Sequence, residues 1–296
     1  VREGHAMLLP GFKTALPGRG AMRYERLWQQ AGHGWAAIYD VDAWRRAMGL
    51  ELRDEGRFEP GALEEDRLRA ACVADLRLEA AHPGSYGEHV LRRHRALRAA
   101  WQEARRLGAG ADGLRMAQVR WRLFDGLAGS LVAPCAIALL VLCWSLLAAP
   151  VFWSAAILAP IWLPALLEML AALASRPFDA PLRQHLDAWA RGARPTLVRA
   201  ALALAFLPHT AWVDADAVVR GLWRRDVSRR KLLELRPPAL ARASSAMENN
   251  WRAMWFAPLL AVGVAVLLTF ANPYALFATA PLLLVWFLSP VLAWWT

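Results

Sequence analysis

Cysteine and lysine are both scarce in this chain of 296 residues. Its three cysteines form no disulfide framework and no metal-binding pattern, so we expect them to be small, buried apolar side chains. With two lysines and no basic low-complexity arm, the chain lacks the usual features of a nucleic-acid-binding protein, and we expect no nucleic-acid partner. The sequence also has no Gly-rich phosphate loop, no internal repeat and no signal peptide at its start.

Two stretches, residues 126–167 and 253–296, contain no charged residue. Each is long enough to cross a bilayer twice, because one crossing needs about 20 apolar residues. A turn is indicated near the middle of each, at Ala149-Pro150 and at Asn272-Pro273. We therefore predict a membrane protein with two transmembrane hairpins, over residues 129–174 and 253–296.

The rest of the chain is rich in arginine, and the formal net charge is +10. Because positively charged segments stay on the cytoplasmic side of a membrane, we predict that residues 1–125 and 175–252 are both cytoplasmic. The apolar run at residues 200–213 is too short to span and contains Pro208 and His209, so we expect an interfacial or re-entrant helix.

Two further segments are amphipathic. Residues 215–235 place apolar side chains on one helical face and arginines on much of the rest, which is typical of a helix in the lipid headgroup plane. Residues 113–128 have a similar composition and are predicted to form an interfacial helix before the first span. An ordinary amphipathic helix docked on protein is the alternative for both.

Residues 1–112 have a mixed pattern. Residues 38–42 resemble the end of a strand, and residues 73–79 alternate between apolar and polar like a half-buried strand. The residues from Ser85 to Glu88 form a capping box that predicts a helix through about Leu107. We therefore expect an α/β region here.

Three groups of residues are candidates for chemistry. Asp40 and Asp42 form a D-x-D that can bind a divalent cation, or else a helix cap and a surface carboxylate. Asp66, which follows two glutamates, is a candidate general base, although acidic residues also simply favour helix N-termini.

The third group is an arginine cluster with an aromatic residue. Its arginines are helical neighbours that can clamp a diphosphate, and its tryptophan offers a flat face of the kind on which sugars stack. A solvated basic face with a core tryptophan is the alternative. No histidine metal site is expected. The residues are Arg92, Arg93, Arg95, Arg98, Trp101 and Gln102.

In chain order, these features resemble those of the cyclic β-1,2-glucan synthases, which are processive membrane glycosyltransferases of the GT-A type. The resemblance extends from about residue 23 to the end. The segments that carry it are Ile-Tyr-Asp-Val-Asp-Ala-Trp at 38–44, the segment around Asp66, Arg-Arg-His-Arg-Ala-Leu-Arg-Ala-Ala-Trp-Gln at 92–102, Arg-Trp-Arg-Leu-Phe-Asp at 120–125, residues 200–233, and Ala-Pro-Leu-Leu-Leu at 280–284.

This resemblance implies a partial α/β, GT-A-like cytosolic region followed by an all-α membrane region with about four transmembrane helices in two hairpins, plus interfacial helices. It implies transfer of glucose from UDP-glucose to a β-glucan, with Mg or Mn as the divalent cation and Asp66 as the base. The arginine cluster and Trp101 would contact the substrates. The location would be the inner membrane of a bacterium, and in the family a phosphorylase-like region follows.

The sequence also departs from the family's pattern. The family's His before the base is Glu65, its acceptor-stacking Trp is Ala96, and its R-G-D is Arg-Ala-Ala at 98–100. The nucleotide-binding half would lie upstream of Val1, so we expect a fragment or a divergent copy. The alternative is a catalytically inactive membrane scaffold or glucan-binding module, and a simple lipid-headgroup-binding anchor is a third interpretation.

Overall fold

A computed structural model of the chain describes residue 42 and residues 86–104, 114–175, 181–228 and 251–295. Nearly all of these residues are helical. The helices, in chain order, are α1 Tyr86–Glu103, α2 Leu114–Leu146, α3 Pro150–Ala174, α4 Leu182–Ala205, α5 Leu207–Trp223, α6 Phe256–Ala271, α7 Pro273–Phe287 and α8 Ser289–Trp295, with a π-helical turn at Arg224–Ser228 after α5.

The predicted α/β, GT-A-like fold class is wrong for this part of the chain, because the described residues form helices and include no strand or sheet. Asp42, which we placed after a strand-like segment or at a helix cap, is itself helical and exposed. A helix satisfies its backbone hydrogen bonds internally, which suits segments that adjoin lipid. Alternation of apolar and polar residues over only a few positions is a weaker indicator of local structure. Residues 38–41 and 73–79 lie outside the described ranges.

The helix predicted from the capping box at Ser85 is present as α1, Tyr86–Glu103. It is polar on average, and its buried residues include Tyr86 and Arg98. A helix of this composition has little apolar surface with which to dock, so its position depends on specific contacts with its neighbours.

Of the described helices, two are single helices long and apolar enough to cross a membrane, namely residues Leu123–Leu146 of α2 and all of α3, Pro150–Ala174. A short turn joins them, and Pro150 occupies the first turn of α3, where its missing N–H costs nothing. The indole Nε1 of Trp144 donates to Ser154 Oγ at 2.8 Å, which links the two helices beside the turn.

The second apolar stretch differs from the expected pair of long spans. Helix α6 has 16 residues and is shorter than a typical span, whereas α7 and α8 together form a candidate span bent by 43°. Helices α4 and α5 form another bent pair, with an angle of 62° between them. The described residues therefore supply two candidate spans, or up to four if each bent pair crosses once.

The core is built mainly from α2, α5, α6 and α7, with Leu158 from α3, and it includes two fully buried tryptophans. Trp144 and Trp286 have ring centroids 5.8 Å apart, and Trp286 Nε1 donates to the carbonyl of Leu204 at 3.1 Å. A buried indole contributes a large apolar area but needs a partner for its N–H, and both tryptophans have one.

Large apolar side chains face outward on the candidate membrane helices. Phe270, Tyr274 and Phe277 are each more than four-fifths exposed, which in water would be an unfavourable apolar patch but in lipid is expected. Cys143 is buried as predicted, whereas Cys135 is exposed, contrary to the prediction. The reason is that Cys135 lies on the outward face of α2.

Ala149, in the turn between α2 and α3, has a φ angle of 61° and lies in the left-handed region. A side chain in this region costs roughly 1–2 kcal/mol, and glycine relieves that cost. We therefore expect Ala149→Gly to raise the melting temperature of the detergent-purified protein. Ala148→Gly, at the preceding exposed position, is the control and should not raise it; equal effects of the two substitutions would contradict the prediction.

Candidate functional site

Helices α1 and α5 lie side by side and run in the same direction. Tyr86 at the start of α1 contacts His209 at the start of α5, and Arg93 contacts Asp214 about two turns later. At the far end, Trp101 meets Gly221. The residues of the two helices therefore pair in order over the length of α1.

The strongest of these contacts is the ion pair between Arg93 and Asp214. Arg93 Nε donates to Asp214 Oδ1 and Nη2 donates to Oδ2, both at 2.7 Å. The Asp214 side chain is completely buried. Hydrogen bonding to Asp214 raises the pKa of Arg93 above its ordinary value, against the opposing effect of burial. A two-pronged pair of this kind fixes both position and orientation.

A second polar group lies next to this pair, one residue further along α1 and two residues further along α5. Asp216 Oδ2 lies 2.9 Å from His94 Nε2, and its Oδ1 accepts from Arg220 Nε at 2.7 Å. Burial lowers the pKa of His94, and the hydrogen bond that Asp216 accepts acts in the opposite direction. Asp216 therefore connects α1 with the arginine-rich end of α5.

The end of α1 is held by close packing. A Cβ atom added at Gly221 would lie 3.3 Å from Trp101 Cβ and 3.6 Å from the backbone oxygen of Arg98, so the absence of a side chain lets the helices approach. Trp101 Nε1 donates to Ser130 Oγ at 3.0 Å, and Ser130 in turn donates to the carbonyl of Leu127 at 2.6 Å. These bonds attach α1 to α2 as well as to α5.

The start of α1 is equally anchored. The Tyr86 hydroxyl lies 2.9 Å from His209 Nδ1, and the Tyr86 ring lies 4.3 Å from the Phe206 ring, between centroids. Burial raises the pKa of Tyr86 above its ordinary value, so the hydroxyl stays protonated. Tyr86, Phe206, Met254 and Ala293 form a small cluster that attaches α1 to the ends of the apolar helices.

An open cleft of about 300 Å³ lies along the junction of α1 and α5. Its charged lining consists mostly of arginines from both helices, with Asp216 as a carboxylate among them. Both helices also contribute apolar side chains to the lining. Such a surface is suited to an anion with an apolar part. The lining residues are Val90, Leu91, His94, Arg95, Arg98, Trp212, Val213, Asp216, Arg220 and Arg224.

The predicted site residues fall in different places. Asp40 and Asp66 lie outside the described residues, as does the side chain of Gln102. Asp42 is exposed. The four arginines of α1 do not share one face: Arg92 and Arg95 are exposed, Arg93 binds Asp214, and Arg98 is buried beside the cleft.

Trp101 is half-buried and its indole N–H is bonded to Ser130. Trp101 therefore lies where α1, α2 and α5 pack together. For metal ions, the described ranges contain no group of three His, Cys, Asp or Glu side chains that could hold one, so these helices do not supply a complete cation site.

Asp214 and Asp216 organise the junction, and neither was predicted from the sequence as a functional residue. One indication was available, because Asp214 lies in an otherwise apolar segment, and a buried carboxylate needs a partner. The sequence alone does not identify that partner, since Arg93 is 121 residues away.

No protein-family model matches the chain. The chain is 29% identical over 261 residues to the cyclic β-(1,2)-glucan synthase NdvB of Rhizobium meliloti (strain 1021), an alignment that covers 87% of this chain and 9% of that protein. The chain is related to the cyclic β-1,2-glucan synthases. The resemblance inferred from the motif residues is thereby confirmed at the level of the family, and the chain spans about a tenth of the length of this glucan synthase.

We expect the Arg93–Asp214 pair to hold α1 in place against α5. Removing one partner of a fully buried ion pair costs about 3–5 kcal/mol. Because the Arg93 side chain is 37% exposed and can regain water, the loss of Asp214 should cost less, about 1–3 kcal/mol. We expect Asp214→Asn to lower the melting temperature and to speed hydrogen exchange in α1. Asp216→Asn, which alters a more exposed pair, should cost no more than about 1 kcal/mol. Equal stability of wild type and Asp214→Asn would contradict this prediction.

The junction of α1 and α5 is also expected to respond to pH. Burial lowers the pKa of His94 below its ordinary value of 6.5, so the unfolded chain binds a proton more readily than the folded one. Stability linked to His94 should be complete above pH 6.5 and should be lost as the pH falls towards its lowered pKa. In His94→Gln, melting temperature should fall less steeply over this interval. The pKa of His89 is also lowered by burial, so part of the slope should remain.

Proposed function

We propose that the chain is the acceptor-side and membrane part of a glycosyltransferase that transfers glucose from UDP-glucose to a growing β-glucan. The relation to NdvB over 87% of the chain is the observation that carries this proposal. The arrangement of the helices supports it, because a cluster of arginines is held beside a set of apolar helices, as a membrane enzyme with a negatively charged donor requires.

In the proposed reaction, the Asp66 carboxylate removes the proton from an acceptor hydroxyl group. The hydroxyl oxygen then attacks the anomeric carbon of glucose from the side opposite to UDP, a new glycosidic bond forms, and UDP leaves with the electrons of the broken bond. The configuration at the anomeric carbon is inverted. General base catalysis of this kind contributes about 10²–10⁴ to a rate.

The arginines of α1 would lie beside the acceptor and the leaving diphosphate, together with Trp101 and Gln102. Positive charge placed where negative charge develops stabilises a transition state. Arg92 and Arg95 are exposed and suited to such contact, whereas Arg93 would act by positioning α1, since Asp214 holds its guanidinium. Asp40 and Asp42 are proposed to bind substrate.

The proposal extends to the setting of the reaction. The protein would lie in the inner membrane of a bacterium, with residues 1–125 and 175–252 in the cytoplasm, where UDP-glucose is available. A divalent cation, Mg or Mn, would assist the departure of the diphosphate; the described helices do not contain its complete site. The β-glucan would grow next to the apolar helices.

We expect Asp66→Asn to reduce the incorporation of labelled glucose from UDP-glucose into glucan by at least about 100-fold, because the amide cannot accept the proton. The assay uses membranes of cells that express the protein from its complete reading frame. Glu65→Gln removes the neighbouring carboxylate and should retain most activity. Equal turnover of wild type and Asp66→Asn would remove Asp66 from the mechanism.

A non-catalytic scaffold or glucan-binding module is the second candidate, favoured by the replacement of the family's motif residues at Glu65 and Ala96. The same membranes distinguish the two. Binding of β-glucan by the wild-type protein, without incorporation of glucose, would support the module and contradict the enzyme.

A further inference from the structure

An exposed apolar row runs along α5 into the π-helical turn. Its members are separated by seven, four and four residues, which places them on one face of a helix. They are Trp212, Val219, Trp223 and Val227, with exposures of 38%, 63%, 60% and 60%. Arg220 and Arg224 each follow a member of the row by one position, about 100° further around the helix, so they form a second row on the neighbouring face.

The start of the apolar row is fixed at the end of an apolar helix. The Trp212 ring stacks on Phe256, the first residue of α6, with 4.8 Å between ring centroids, and it meets Trp255 edge-on at 5.4 Å. Helix α5 also packs against α2, which contains a candidate span. Aromatic side chains of this kind concentrate at the boundary between water and lipid. The row therefore lies where the apolar helices begin.

The arginine row borders the cleft between α1 and α5. Arg220 uses its Nε to bind Asp216, which leaves the other donors of its guanidinium for a ligand. Arg224 lines the same cleft one turn further on, and Arg95 lies across from it on α1. Asp216 is the carboxylate in this lining, and it is shared between His94 and Arg220. The local charge therefore remains positive.

We propose that Arg220 and Arg224 bind the phosphate group of an anionic phospholipid, whose acyl chains lie along the row from Trp212 to Val227. A soluble phosphate would satisfy the arginines but would leave the apolar row exposed to water. A phospholipid satisfies both rows at once, and basic side chains near lipid phosphate are favourable. The lipid site borders the cleft that Arg95, a proposed substrate contact, also lines, but the binding of lipid does not require the transfer of glucose.

Native mass spectrometry of the detergent-purified protein provides the test, with phosphatidylglycerol as the probe. Each basic side chain near an anionic lipid contributes a factor of about five to binding. We expect Arg220→Gln/Arg224→Gln to bind phosphatidylglycerol about 20-fold more weakly than wild type. The matched control, Arg191→Gln/Arg194→Gln, removes two exposed arginines of α4 and should bind as wild type does. Zwitterionic phosphatidylcholine should bind the wild type more weakly than phosphatidylglycerol does.

Two results would overturn the proposal. One is equal binding of phosphatidylglycerol by the wild type and the α5 double variant. The other is displacement of the lipid by pyrophosphate or glycerophosphoglycerol at equal concentration, which would show that the site binds soluble phosphates. If the double variant fails to fold, Arg224→Gln alone decides, with an expected loss of about fivefold.

Discussion

The position of α1 depends on the ion pair between Arg93 and Asp214. Without it, a carboxylate would be buried next to the apolar core with no counter-charge, at a cost of several kcal/mol. The pair makes α1 and α5 depend on each other, because Arg93 of α1 provides the counter-charge that the buried carboxylate of Asp214 on α5 needs. The contacts at Tyr86 and Gly221 then follow from the same alignment of the two helices.

Because of the geometry of the helix, the arginines of α1 make different contacts. Neighbours in the sequence point in different directions, so a run of basic residues cannot act as one clamp. Arg93 stabilises the helix pair, Arg95 and Arg98 line the cleft, and Arg92 is exposed outside it. The number of basic residues in such a motif is therefore only the maximum number of charges that one ligand could contact.

Local patterns were sufficient to predict the local elements. The uncharged stretches and the turns before Pro150 and Pro273 predicted α2, α3, α6 and α7, and the capping box predicted α1. The number of full spans was not predictable, because the bends within the chain depend on packing. The Arg93–Asp214 pair could not be predicted either, since helix periodicity does not show which distant residue lies opposite a given side chain.

The amide of Asn272 joins the far turns of the two apolar stretches. It accepts from the backbone N–H of Ala275 at the start of α7 and donates to the carbonyl of Trp144 at the end of α2, at 3.2 Å in each case. Carbonyls at the end of a helix have no partner within that helix, and lipid offers none. The turn of the second apolar stretch therefore provides the hydrogen-bond donor for a carbonyl at the end of α2, in the first stretch. A substitution at Asn272 would therefore affect both turns at once.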